Sequence, residues 1–324
     1  METLTCIPTL PDPTVDKVEF AQQLHKALAA VGSAYIPVSS VLEEKSLLNK
    51  LKTLFELSEL QKRTLAQRLM SPWQGVFLPL GEEQLADQQE DYKEVLDLNL
   101  EKGTYARWVK RRKAQQSQHV AVNEVDVNAL MQEAQPLYEI FEMFQTQANY
   151  VLAALEMAYA QPEGSLVGKH GKNSTLRLLH YPPAAHLAPG AIRLGAHQDY
   201  SGITLLWQDA TGGLEILTPA NEWVAVNIPP GCIGVIVGEV MQYWSDGTLH
   251  SAPHRVRVAN TQQLQNARYS IAFFCETNSD CIVYPGSLRR LADAYPLTHP
   301  ADEPIVVEQF LTHKYDQIME KVNF

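Results

Sequence analysis

His197 and Asp199 sit two positions apart in the segment GAHQDYSGITLL, and His254 follows 57 residues after the first of them in SAPHRVRV. In an extended strand residues i and i+2 point to the same face, so the first pair can aim an imidazole and a carboxylate at one point. That spacing alone fits an ordinary hydrogen-bonded His–Asp pair. The second imidazole changes the balance. Two imidazoles and one carboxylate on one side of a metal leave open positions opposite, the facial arrangement of non-haem Fe(II) oxygenases. Fourteen residues beyond His254, Arg268 and Ser270 flank Tyr269 in RYSIAFFC and again share a strand face. A guanidinium fork beside a hydroxyl suits the end-on grip of a carboxylate. An isolated R-x-S is a surface arginine in a strand. After H-x-D and a distant His, in a segment this apolar, it reads as the anchor for a dicarboxylate whose other end chelates the iron.

These residues need strands to hold them, and the second half of the chain supplies strand texture. After Gly171, the runs TLRLLHY, GITLLWQ, LEILT, WVAVNI, CIGVIV, HRVRV and RYSIAFFC are rich in β-branched and aromatic residues. Turn residues part them at Pro182–Pro183, Gly212–Gly213, Pro229 to Gly231 and Asp246–Gly247. Many short strands in series predict a sandwich or barrel, not a βαβ sheet. The first half reads as helix. Val18, Ala21, Leu24, Ala27 and Leu28 recur at three- and four-residue steps, and Gly32 ends the run. A second helix is predicted from Ser39 or Ser40, carrying Leu47, Leu51, Leu54 and Phe55. Ser58 and Gln61 form a capping box for a third. A long apolar stripe runs from Val127 to Tyr159, with Pro136 as a restart or kink, and a last helix is predicted from about Glu303 to Val322.

Composition bounds the classes of partner. The 324 residues carry a net charge of −11, which argues against a general binder of nucleic acid or anionic membrane. Hydrophobic residues at 45% are enough for a large core, so a disordered chain is excluded. Cys6, Cys232, Cys275 and Cys281 are too few and scattered for a disulfide scaffold, which points to a reducing compartment. The opening METLTCIPTLPDP lacks a basic or apolar leader, and the most apolar run, Gly231 to Val237, is too short to span a bilayer. A cytoplasmic monomer is the expectation.

The segment LRLLHYPP … GAIRLGAHQDYSGITLLWQD … GGLEI … WVAVNIPPGCIGVIVGEVMQYWSDGTLHSAPHRV … RYSIAFF resembles the Fe(II)/2-oxoglutarate-dependent dioxygenases of the isopenicillin N synthase-like group. AAVG, FELSELQKR and GVFLPLGEE followed by DYKEVLDL extend the resemblance, more loosely, into the first half. It implies a mainly β fold with flanking helices: a double-stranded β-helix (jelly roll) over residues 121–324 and a helical N-terminal region over 1–120, in one compact unit. It implies His197, Asp199 and His254 as Fe(II) ligands, and Arg268, Ser270 and Tyr181 around 2-oxoglutarate. The implied activity is that of an oxidoreductase that consumes O₂ and 2-oxoglutarate to hydroxylate, desaturate or cyclise a small molecule, forming succinate and CO₂. Two departures stand out. Leu179 replaces the Asn that many members place two residues before the Tyr, and Glu239 replaces a usual Asp.

Phe274, Tyr200 and Arg193 adjoin these motifs and are the candidates for the substrate pocket. The basic run Trp108 to Lys113 reads as a solvated face or, secondarily, a clamp on an anionic substrate. Two alternatives stay open. One is an isopenicillin N synthase-like oxidase, in which Arg268 and Ser270 hold a substrate carboxylate. The other is a jelly-roll metal-binding protein without turnover, against which the intact triad and anchor speak.

Overall fold

The computed structural model of the chain describes residues 6–38, 44–69, 71–82, 91–100, 110, 126–288 and 303–321. The first helix, α1 (Lys17–Val31), starts where Asp16 accepts from the Val18 and Glu19 amides and stops at Gly32, with φ of 73°. Only glycine fits there. A Cβ on Gly32 would lie 2.2 Å from the His250 carbonyl oxygen, so the helix end is pressed against the loop that leads to His254. Strand β1 (Ser33–Pro37) follows at once. Ser39 and Ser40, the predicted start of the next helix, lie outside the described residues; α2 is described as Glu44–Glu56. Helix α3 (Glu59–Arg68) opens on the Ser58–Gln61 capping box.

Two further strands, β2 (Trp73–Leu78) and β3 (Glu94–Leu100), precede the long apolar stripe. That stripe divides into α4 (Val127–Gln132) and α5 (Gln135–Ala158), with Pro136 in the first turn of α5, where its missing N–H costs nothing. The jelly roll then runs through β4 (Thr175–Tyr181), β5 (Ile192–His197), β6 (Ile203–Gln208), β7 (Leu214–Leu217), β8 (Trp223–Ala225) and β9 (Cys232–Val237). It continues through the short helix α6 (Glu239–Trp244), β10 (His254–Arg257), helix α7 (Thr261–Gln265) and β11 (Arg268–Cys275). The chain closes with β12 (Ile282–Val283), β13 (Ile305–Val306) and α8 (Val307–Lys321). The last helix begins later than predicted, because Ile305 and Val306 pair with Val283 and Ile282 as a short ribbon.

The strands form a seven-stranded sheet in the order β1-β9-β6-β11-β4-β3-β2 and a four-stranded sheet in the order β5-β10-β7-β8, all neighbours antiparallel. Residues 1–120 are therefore not simply a helical region. Their strands β1, β2 and β3 complete both edges of the main sheet, and SAYIP, WQGVFL and EVLDLNL are buried along nearly their whole length. The division near residue 120 lies outside the described residues. Among the described residues no helix is long and apolar enough to cross a membrane.

Strand β11 shows how the architecture serves a site. Alternate residues point to opposite faces. Phe273 packs against Phe141 and Phe144 of α5, with ring centroids 5.1 and 6.0 Å apart. Arg268, Ser270, Ala272 and Phe274 point the other way, into a cavity that residues of both sheets line.

Candidate active site

His197, Asp199 and His254 converge at one side of that cavity, with one potential ligand atom from each within 4.8 Å of the others. His197 ends β5, and its register partner on β10 is His254. The i, i+2 alternation that the sequence suggests does not place Asp199, because β5 stops at His197. The turn after it does. The Asp199 carbonyl accepts from the Glu239 amide at 2.8 Å, and the Gly202 carbonyl accepts from the Gly238 amide at 3.0 Å. A Cβ on Gly238 would sit 1.9 Å from the Ser201 carbonyl oxygen, so the turn and the start of α6 are in direct backbone contact. Gln198 fastens the same turn to the Ser251 carbonyl at 2.6 Å.

The protonation pattern suits a cation. The Nδ1 atoms of His197 and His254 face the carbonyl oxygens of Gly195 at 2.8 Å and Ala252 at 3.3 Å. A carbonyl only accepts, so Nδ1 carries the proton and, in the neutral ring, Nε2 offers a lone pair. Burial, with the neighbouring His254 adding to it, lowers His197 to about 4, so its ring is neutral near pH 7. The two Nε2 atoms lie 3.9 and 3.7 Å from Asp199 Oδ1, beyond hydrogen-bond reach. Among the described residues, Asp199 Oδ2 is buried without a hydrogen-bond partner. A buried carboxylate left without donors between two lone pairs is the donor set of an Fe(II) site, and the residues fit that ion.

Across the cavity stands Arg268, 2% exposed. Its Nε donates to the Gly212 carbonyl at 2.9 Å, Nη1 to Ser270 Oγ at 2.9 Å and Nη2 to Gln208 Oε1 at 2.8 Å. All three acceptors are neutral. Tyr181 is its register partner on β4, with the guanidinium 4.8 Å from the ring centre. Gln208 is a contact that sequence reasoning misses, although a signal for it exists. Thr204, Leu206 and Gln208 share the alternate face of GITLLWQ, and the last of them is polar.

Phe274 lines the cavity, and so does Leu179, opposite Ser270 in register. Tyr200 and Arg193 do not line it. Tyr200 turns toward the last helix, with Lys314 Nζ 4.8 Å from its ring and the Tyr315 ring 6.3 Å away. Arg193 lies behind Tyr181. The substitution at Glu239 has a structural reason, since its carboxylate takes Lys314 of α8 at 2.7 Å. Lys93 and Arg177 also line the cavity, each held by a buried acid: Asp91 at 2.7 Å and Asp97 at 2.8 Å. Sequence reasoning does not find them, because isolated charges in DYKEVLDL and TLRLLHY carry no spacing signal. Apart from exposed Lys110, the run Trp108 to Lys113 lies outside the described residues.

Just past β11, Glu276 is buried and accepts from the Tyr315 hydroxyl at 2.5 Å. Burial pushes its carboxyl up to about 8, against the lowering effect of the Tyr315 hydrogen bond and of Arg177. An acid whose folded value is raised favours the folded state at low pH and loses that contribution as pH climbs toward the folded value. Thermal stability is therefore expected to fall between about pH 5 and 8. Glu276→Gln should flatten this fall in melting scans across the range. An unchanged slope would show that Glu276 ionises normally.

A profile of the 2OG-Fe(II) oxygenase superfamily matches residues 172–277. A 2-oxoglutarate-Fe(II) type oxidoreductase of Aspergillus fumigatus is 37% identical over 155 residues, covering 47% of this chain and 44% of the relative. A 2-oxoglutarate-dependent dioxygenase of a Dothideomycetidae species is 32% identical over 186 residues, covering 53% and 52%. The matched stretch thus spans about half the length of these curated relatives. Among solved structures, the rice dioxygenase for auxin oxidation superposes with a TM-score of 0.67 at 21% identity, covering 96% of both chains. A 2OG-Fe(II) oxygenase family protein of Caulobacter crescentus superposes with a TM-score of 0.72 at 24% identity, covering 97% of this chain and 99% of the other. Both are likenesses of fold.

Proposed function

We propose that this chain, whose residues 172–277 match the 2OG-Fe(II) oxygenase superfamily, is an Fe(II)- and 2-oxoglutarate-dependent oxygenase of a small organic molecule. The observation that carries the reading is Arg268. Among the described residues it is a buried cation that meets only neutral acceptors, in the same cavity as two imidazoles and a carboxylate whose Oδ2 has no hydrogen-bond partner. A charge so placed is costly until an anion answers it. A dicarboxylate answers Arg268 at one end and leaves its keto-acid end for the iron.

His197, Asp199 and His254 would hold Fe(II), which when bound supplies the activation of O₂ that no side chain can perform. The protein's own residues do the rest. Ser270 and Gln208 orient the guanidinium, and Tyr181 flanks it. Leu179, Leu206, Leu214, Ile236 and Val256 keep the cavity wall dry between anchor and triad. The reading includes a cytoplasmic monomer and excludes nucleic-acid and membrane substrates, which the net charge of −11 supports.

The test needs no substrate. Fe(II) and then 2-oxoglutarate are added to the apoprotein without oxygen, and the weak visible band of the chelate is followed. A saturable band at about one equivalent per chain is expected from a single bidentate site. Bound iron without a band would favour the oxidase that takes no 2-oxoglutarate.

A further inference from the structure

Tyr181 carries two guanidinium groups. Arg268 lies 4.8 Å from its ring centre and Arg193 lies 5.4 Å from it. Arg193 is 2% exposed on β5. Its Nη2 donates to the carbonyl of Pro182, the residue after Tyr181, and its Nη1 donates to the Gln263 carbonyl at 3.5 Å. No described carboxylate forms a salt bridge with either arginine, and the hydrogen-bond acceptors of both are neutral. Two buried cations on one ring repel each other, and an anion placed at Arg268 relieves the repulsion. Arg193 also crosses from the smaller sheet to the end of β4 in the larger one. It therefore ties the strand that ends in His197 to the residue next to Tyr181, whose ring faces Arg268.

We propose that Arg193 is a positioning residue for the distal carboxylate of 2-oxoglutarate: it fixes Tyr181 and Pro182 from the opposite sheet and lends the anchor a second positive charge. The proposal rests on the functional reading above. It makes Arg193 a determinant of cosubstrate affinity without contact with the cosubstrate, and without a part in iron binding.

The test is the anaerobic titration of Fe(II)-loaded protein with 2-oxoglutarate, alongside Fe(II) affinity measured separately. Arg193→Met is expected to weaken 2-oxoglutarate binding about tenfold, through the loss of a neighbouring charge that does not touch the cosubstrate, and to leave Fe(II) affinity unchanged. Arg193→Lys keeps the charge and loses the fork, so it should fall between Arg193→Met and the native protein. Because Arg193 acts through the Tyr181 ring, the losses from Arg193→Met and from Tyr181→Leu, which removes the ring, should be less than additive in the double variant. Unchanged 2-oxoglutarate affinity in Arg193→Met, or in Arg193→Lys if the first variant fails to fold, would overturn the proposal. So would an equal loss of Fe(II) affinity. A native protein that binds Fe(II) but no 2-oxoglutarate would instead overturn the functional reading on which it rests.

Discussion

Asp199→Ala is expected to abolish Fe(II) retention and turnover while leaving the apoprotein at least as stable as the native chain. The two halves of this result have separate causes. Asp199 supplies the only carboxylate of the triad, and losing a ligand should cost more than the roughly 10–100-fold in metal affinity typical of losing a supporting contact. Its side chain does nothing comparable for the fold. Oδ2 has no hydrogen-bond partner, and Oδ1 stands 3.7 and 3.9 Å from the two imidazoles. The backbone contact that holds the turn, Glu239 amide to Asp199 carbonyl, survives truncation. Removing a buried, unanswered carboxylate relieves a desolvation cost, so the apoprotein melting temperature should hold or rise. Iron content after gel filtration and a melting scan of metal-free protein measure both. A fall of several degrees in the scan would make Asp199 a structural residue, and retained turnover would remove it from the iron site.

The contrast explains why the triad is legible in the sequence. Residues that carry a folding cost stand out, because nothing in strand or helix propensity calls for them. H-x-D in an apolar strand and a distant His at a strand start are such exceptions. The spacing argument for H-x-D is nonetheless incomplete. Alternation requires the strand to include both residues, and β5 ends at the first. What aims Asp199 is backbone contact between Ser201 and Gly238, 37 residues apart in sequence, which no local pattern reports. Arg268 and Ser270 meet the expectation because both lie inside one strand, where alternation holds.

The same distinction separates what local pattern reveals of the fold from what it does not. The capping box at Ser58, the stop at Gly32 and the strands after Gly171 are written in local spacing. The recruitment of β1, β2 and β3 into the main sheet is not, because strand partnership is a long-range choice. Arg193 adjoins the motif in sequence, which suggests the cavity. Its side chain instead leaves β5 away from the cavity and reaches Pro182, and that direction is set by the sheet, not by proximity. Lys93 and Arg177 are silent in the sequence for the converse reason, since tertiary pairing alone brings them to the cavity wall.

Arg268→Met should separate cosubstrate from metal. A guanidinium that offers two donors to one carboxylate makes charge-assisted contacts each worth about 1.5–3 kcal/mol, so 2-oxoglutarate affinity should fall by about 100-fold or more. Fe(II) affinity should stay within about twofold, a shift far below the roughly 1.4 kcal/mol of a tenfold change. Arg268→Lys is the sharper variant, because it keeps the charge. An ammonium is a point donor and cannot satisfy Gly212, Ser270 and Gln208 together while facing an anion. If charge alone mattered, the lysine would restore binding; if the fork matters, it would not, and the geometry of three neutral acceptors around one guanidinium favours the fork. Ser270→Ala and Gln208→Leu then give smaller losses of about tenfold, since each removes one hydrogen bond that orients the fork and leaves its charge in place. An oxidase that binds a substrate carboxylate at Arg268 would show none of these changes in 2-oxoglutarate affinity, because it would have none to lose.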